Sequence, residues 1–404
     1  MDRSWVEISK SALVENIRML RGVAGSDRIL CAVVKANAYG HGIREVATML
    51  HHDRSFLGTL HPRDTKNLGR EFLDHGVQRG WFGVDSCGEA LVLRDAGVRV
   101  PIMVLGYVPV ADARIVVRTG ARVTVATPET VRALASAARS LRRTIPVHVK
   151  VETGTQRQGV LLRDLSAFVR LIERSRGLAL EGISTHLADV EDTGPDGFTH
   201  LQLERFERAV RIAERMVGRL LLRHASASAA TMLLPDARFD LVRTGIALYG
   251  LWPSDRVRDA MEIHDPRGHV LCLHPVLTWK TIVGPMHWVP RGAPVGYGCT
   301  QRVRRRTRIA VLPVGYWDGY DRGLSSIGEV LIHGQRCKII GRVCMNMIMV
   351  DVTDVPRVRL EDEVVLLGRQ DHKEITADEL ARKIGTITYE VVTRINPFLP
   401  RMVS

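Results

Sequence analysis

Apolar positions along the first 260 residues follow two periods that take turns. Short apolar runs alternate with stretches in which apolar residues recur three or four positions apart. The short runs predict strands at 5–8, 29–34, 81–84, 102–105, 123–125, 147–151 and 180–183. The longer period predicts a helix at 11–20, where Leu13, Ile17 and Leu20 share a face, and others at 44–50, 89–95, 110–118, 128–138, 165–174 and 202–217. Such βα repetition places parallel strands under covering helices, in a barrel or in a doubly wound sheet. No G-x-G-x-x-G opens a helix after a strand and no G-x-x-x-x-G-K-[ST] occurs, which counts against the nucleotide-binding versions of either fold.

The texture changes after about His264. Residues 277–283, 307–312, 329–332, 338–340, 347–351 and 363–366 read as strands set apart by Gly, Pro or Asp, with one clear helix at 377–384. The chain therefore divides into an α/β domain, 1–265, and a mostly β domain, 266–404, with the first strand, about 1–8, open to either. The polar segment 51–67 breaks the βα rhythm and reads as a surface insertion. Its His51, His52 and His61 have no carboxylate at metal spacing and read as loop histidines.

Composition sharpens this picture by exclusion. No apolar run approaches the ~20 residues of a membrane helix and no signal-peptide core follows the first residues, so the expected location is the cytoplasm, with no membrane partner. The six cysteines form no C-x-x-C pair and read as free thiols, with no metal implied. A net charge of +13 raises the question of nucleic acid. The densest basic run, residues 301–308, carries no interleaved aromatics, and only 5% of the chain is aromatic, so a solvated basic face beside a strand is expected, with no nucleic-acid partner.

Candidate chemistry begins at "CAVVKANAYGHG", residues 31–42. Lys35 ends a strand apolar enough to be buried on both faces, where barrel and open-sheet enzymes place their sites, and desolvation there favours a neutral, nucleophilic amine. Such a lysine suits a Schiff base. Ala36, Ala38, Gly40 and Gly42 let the backbone approach a ligand closely, while Asn37, Tyr39 and His41 supply polar handles.

This stretch resembles the cofactor-lysine signature of alanine racemases, fold-type III enzymes that use pyridoxal 5′-phosphate (PLP). Further motifs follow in the family's order: "KVETGTQRQG" (150–159), "STHLAD" (184–189), "HASASAA" (224–230), "VRTGIALYG" (242–250), "VGYGCT" (295–300), "VGYWDGY" (314–320), "GRVCMNM" (341–347) and "TYEVVTRI" (388–395). The resemblance covers nearly the whole chain. It implies an N-terminal (β/α)8 TIM-type barrel over 1–265 and a C-terminal mostly β domain.

By the same resemblance Lys35 carries PLP. Tyr39, Ser228, the backbone of Gly245 and Ile246, and Tyr389 contact its phosphate, and Arg243 faces its pyridine nitrogen. A guanidinium there, charged at any working pH, discourages protonation of that nitrogen and makes the ring a poorer electron sink than an aspartate would. Arg157 contacts the phenolic oxygen and places the substrate carboxylate, and Lys150 is a candidate for carbamylation that braces Arg157.

Racemisation needs one proton-transfer group on each face of the substrate carbon. The resemblance assigns Lys35 to one face and Tyr297 to the other. A phenol of ordinary pKa, about 10, is a feeble base at neutral pH and needs polar, cationic support. His186 is the implied partner of Tyr297, bonded in turn by Arg243. Because Lys35 and Tyr297 fall in different domains, the family's head-to-tail homodimer completes each site, with the partner supplying Tyr297, Met345 and Tyr316.

Departures from the family pattern are Ala227 where Asn is usual, Asn346 where Asp is frequent, and the milder Glu152, Gln158 and Gly296. None touches Lys35 or Tyr297. The implied function is a PLP-dependent alanine racemase interconverting L- and D-alanine for peptidoglycan synthesis. Alternatives are a racemase acting on serine, lysine or ornithine, a decarboxylase of the same fold type, and a non-catalytic PLP-binding protein.

Overall fold

The computed structural model describes residues 3–58, 78–191, 197–263 and 272–404. It divides into two compact units, one made of residues 3–13, Tyr39–Glu45 and His274–Ser404, the other of the described parts of Val14–Ala38 and Val46–Leu273. Part of the expected insertion, including His61, and the expected boundary at 265/266 lie outside the described residues. His51 itself ends the helix Ile43–His51 rather than opening a loop.

β1 (Ser4–Ile8) belongs to the first unit, where it pairs antiparallel with a strand of the C-terminal region. The larger unit is built on eight parallel strands: β2 (Ile29–Val33), β3 (Gly80–Val84), β4 (Ile102–Val104), β5 (Arg122–Val125), β6 (Ile145–Lys150), β7 (Leu178–Ser184), β8 (Leu222–His224) and β9 (Leu241–Thr244). Their order is β8-β7-β6-β5-β4-β3-β2-β9, so β9 returns beside β2 and brings the sheet nearly round on itself. The remaining seam, between β8 and β9, is stitched by Asp240 N–H to the Arg223 carbonyl (3.1 Å), Arg243 N–H to the Ser226 carbonyl (3.1 Å) and the Arg223–Asp240 ion pair (2.9 Å). This is the barrel the motifs implied. β2 and β3 are buried along their whole length, as strands packed on both faces must be. Ile29, Cys31, Trp81, Met103, Leu222 and Leu241 fill the barrel floor.

In the other unit a mixed sheet runs Gln335–Lys338, Glu329–Ile332, Glu363–Gln370, β10 (Leu277–Ile282), β1, Arg401–Val403. A second sheet pairs Met286–Val289, Thr307–Leu312 and Ile348–Asp351. The strand expected at 338–340 lies instead at Gln335–Lys338, because the turn at His333 and Gly334, both at positive φ, sets the hairpin register. The basic run 301–308 is largely engaged. Arg302 donates to the Gly292 carbonyl, Arg305 pairs with Asp354 and Arg306 lies 4.7 Å over the Trp288 ring.

Gly40 and Gly97 test how the backbone around the lysine motif is held. Both have φ near +84°, at +84° and +83°, so an added methyl meets the same backbone strain. At Gly97 nothing lies within 4 Å of the new carbon, whereas at Gly40 the Val392 carbonyl oxygen lies 2.0 Å from it. Gly97→Ala should cost ~1–2 kcal/mol and Gly40→Ala about 2 kcal/mol or more beyond that, read as the difference in thermal or denaturant unfolding.

Candidate active site

Lys35 follows β2 at the C-terminal mouth of the barrel. The four residues after it, Ala36 to Tyr39, all lie at φ between 52° and 54°, a full left-handed turn made without glycine. Each such residue costs ~1–2 kcal/mol, so the turn persists only because its surroundings enforce it. Glu89 is one enforcer. From the first turn of the helix Cys87–Asp95 its carboxylate takes the Ala36 N–H (2.7 Å) and the Asp85 N–H (2.7 Å), while Ser86 caps the same helix in a reciprocal box. Tyr249 is another, donating from its buried hydroxyl to the Val33 carbonyl at 2.8 Å. Lys35 is less enclosed than a doubly buried strand suggests. Its side chain is 41% exposed, with Asp85 4.0 Å away.

Arg243 is the opposite case, 7% exposed on β9. Nη1 donates to His224 Nδ1 at 2.6 Å, and Nη2 donates to the carbonyls of Thr185 (2.9 Å) and Ala225 (2.7 Å). The expected bond from Arg243 to His186 is not made; His224 takes that place, because it ends β8 beside the seam with β9. His224 opens the "HASASAA" motif, and that position was the available signal for it. A guanidinium has five N–H donors, so Nε and one Nη1 hydrogen of Arg243 are uncommitted among the described residues.

Cations crowd the mouth. Burial, then Arg243, Arg157, Lys150 and Lys35, push the His186 imidazole down to about 3. Burial, then Arg243, Arg157 and Lys35, pull Lys150 down to about 8. Arg157 sits on a loop organised by Glu152, whose carboxylate accepts the N–H groups of Gly154 (2.6 Å) and Arg157 (3.3 Å). Burial works against that carboxylate, yet the backbone groups of Gln156 and then Gly154, with Thr155 and Arg157, hold it below its ordinary range. Ser228 opens the short helix Ser228–Leu233, and its buried hydroxyl accepts the N–H groups of Gly245 (3.0 Å) and Ala247 (3.4 Å). Ala227, at the N-cap, offers no side-chain acceptor, so the departure there removes a cap. Ile246 begins a 3₁₀ turn whose first N–H has no partner inside it.

The larger unit thus brings together Lys35, Lys150, Arg157, His186, Ser228, Arg243, Gly245 and Ile246. Tyr39, Tyr389, Tyr297, Tyr316 and Met345 belong to the other unit. Tyr39 and Tyr389 stand with ring centroids 6.1 Å apart. Tyr297 tips the hairpin of Pro294–Val295 and Gln301–Arg302 between Gly296 and Gly298, both at positive φ, and is 74% exposed. It lines a groove of about 460 Å³ with Val295, Cys344 and Met349.

Residues 8–71 and 64–253 match the family model described as alanine racemase, N-terminal domain, and residues 276–403 match alanine racemase, C-terminal domain. The chain belongs to the alanine racemase family. An alanine racemase of Symbiobacterium thermophilum is 40% identical over 99% of this chain and 97% of its own, and one of Leptospira interrogans is 36% identical over 99% and 95%. Among solved structures, alanine racemase of Clostridium difficile 630 superposes with a TM-score of 0.85 at 29% identity, covering 100% of this chain and 96% of its own. That of Bacillus anthracis with bound L-Ala-P gives 0.85 at 31%, covering 100% and 95%. The likeness to this racemase family therefore runs through both the N-terminal and the C-terminal part of the chain.

His186 sets a pH dependence. In the unfolded chain the imidazole binds a proton near its ordinary 6.5, in the folded protein only near about 3. Between those values unfolding takes up a proton, so acid favours the unfolded state. The melting temperature should fall as pH drops below about 6.5, and His186→Gln should flatten that fall. Some slope should remain, because burial and Arg243 also hold His224 well below its ordinary value.

Proposed function

We propose that this protein is a PLP-dependent alanine racemase that interconverts L- and D-alanine and supplies D-alanine to peptidoglycan synthesis in the cytoplasm. The observation that carries the reading is the pairing of Lys35 at the barrel mouth with the buried Arg243, whose uncommitted N–H donors await an acceptor. The donor set fits PLP. Lys35 would hold it, Arg243 would face the ring nitrogen, Arg157 the phenolic oxygen, and Ser228, Gly245, Ile246, Tyr39 and Tyr389 the phosphate. When bound, PLP supplies an electron sink that makes the α-proton of an amino acid removable.

The protein's own residues do the rest. Lys35 Nζ takes or returns the α-proton on one face, and Tyr297 Oη acts on the other. Arg157 orients the substrate carboxylate. His186, kept neutral among its cations, offers a ring nitrogen to Tyr297 without adding charge. The exposure of Tyr297 (74%), Met345 (55%) and Tyr316 (43%) supports a homodimer in which these side chains complete the partner's barrel. Lys150, lowered to about 8, holds enough free amine near neutral pH to take up carbon dioxide, which supports a carbamylated state bracing Arg157.

The test is to purify the protein with PLP, record its visible spectrum and follow α-proton exchange of L-alanine, L-serine and L-lysine in D₂O with chiral analysis. D-alanine formed fastest supports the reading; a visible band without racemised product overturns it. Lys35→Ala should lose the band. Tyr297→Phe should keep it while slowing exchange roughly 10²–10⁴-fold. Mixing the two inactive variants should restore activity, since one site of each mixed dimer then holds both native groups. No recovery on subunit exchange would refute the shared site.

A further inference from the structure

A chain of buried polar groups runs across the barrel interior behind Arg243, and the reaction described above does not use it. His224 Nε2 lies 2.9 Å from His148 Nδ1 on β6, and His148 Nε2 lies 2.8 Å from Glu181 Oε2 on β7. Arg122, on β5, grips the same carboxylate through Nε (2.7 Å) and Nη2 (3.0 Å) and stacks 4.3 Å over Trp81 on β3. His148 and His224 are fully buried and Glu181 is 3% exposed.

The sense of every bond follows from one end. Arginine can only donate, so His224 Nδ1 accepts from Arg243. The imidazole proton of His224 then sits on Nε2 and is donated to His148 Nδ1. His148 in turn carries its proton on Nε2 and donates it to Glu181. Both rings are therefore neutral and in one tautomer, and protonating His224 Nδ1 would break its bond to Arg243. The fold makes room for this pair. A methyl added to Gly182 on β7 would stand 2.3 Å from His148 Nδ1.

Polarisation along such a chain is cooperative. The Glu181 carboxylate makes His148 a stronger acceptor, which makes His224 a stronger acceptor for Arg243. Burial raises the Glu181 carboxyl, but Arg122 and His148 outweigh it and hold the group ionised. Negative charge thus reaches Arg243 through two rings, while the groups that accept directly from its guanidinium are an imidazole and two carbonyls.

We propose that Glu181, acting through His148 and His224, is a positioning residue for racemisation, holding Arg243 charged and fixed in orientation toward the ring nitrogen. The inference rests on the role given to Arg243 under the proposed function. Two measurements test it. Imidazole ¹⁵N NMR of the wild-type protein, with and without PLP, should show His148 and His224 neutral with the proton on Nε2; an Nδ1–H tautomer or a protonated ring at either position overturns the relay. In the holoenzyme, Glu181→Gln should lower kcat by about tenfold or more with KM nearly unchanged and the visible band retained, and Glu181→Asp should recover part of the loss. A folded, PLP-loaded Glu181→Gln enzyme with full kcat overturns the proposal. Should that variant fail to fold, the wild-type tautomers still decide. Wild-type protein that takes up no PLP and racemises nothing would refute the proposed function instead, whatever the tautomers show.

Discussion

A guanidinium charge sealed inside a barrel is the constraint around which this structure is arranged. Removing Arg243 from water is tolerable only if its donors meet acceptors, and three do: His224 Nδ1 and the carbonyls of Thr185 and Ala225. Those acceptors come from the ends of β7 and β8, so the charge also fixes how the last strands meet. The same charge then governs its neighbours. Burial first, and this charge second, keep His186 and His224 neutral and bring Lys150 toward neutrality, so a mouth rich in basic residues carries fewer charges than its composition suggests.

A second local cost is paid in backbone. The left-handed turn from Ala36 to Tyr39 is unfavourable at every residue, and the groups that enforce it, Glu89 and Tyr249, come from elements far away in sequence. Glu89 also caps its own helix and holds Asp85, so one carboxylate sets the backbone on both sides of the Lys35 amine. The strain is tied to the position of the lysine: the turn begins at the residue after it.

Much of this was legible in the sequence because the period of apolar residues reports burial directly. The strands at 29–34 and 81–84 and the helix at 128–138 came out within two residues of the observed ends. β8 and β9 escaped because three- and four-residue strands that contain a histidine or an arginine show no period. The motifs named Lys35 and Arg243, but Glu89 had no signal beyond a helix start. The partner of Arg243 was misread for a physical reason: His186 lies two residues past the end of β7 and His224 ends β8, and only the closure of β8 against β9 decides which one the guanidinium reaches. Glu181 and His148 were invisible because their strands read as apolar, and a polar residue facing a barrel interior looks the same in sequence as one facing water.

Two arginines, one half-buried and one buried, show how the barrel sorts charge. Arg122 meets Glu181 directly and bidentately, which neutralises both, and its guanidinium stacks on Trp81 with no field left to offer. Arg243 meets the same carboxylate only through two imidazoles. Bringing the carboxylate into direct contact would stabilise Arg243 more strongly but would quench the positive potential at the mouth and draw protons there. Leaving it out would bury a cation with neutral acceptors alone. The intermediate solution, with Glu181 two rings away on the far side of His148, keeps the charge affordable and still available.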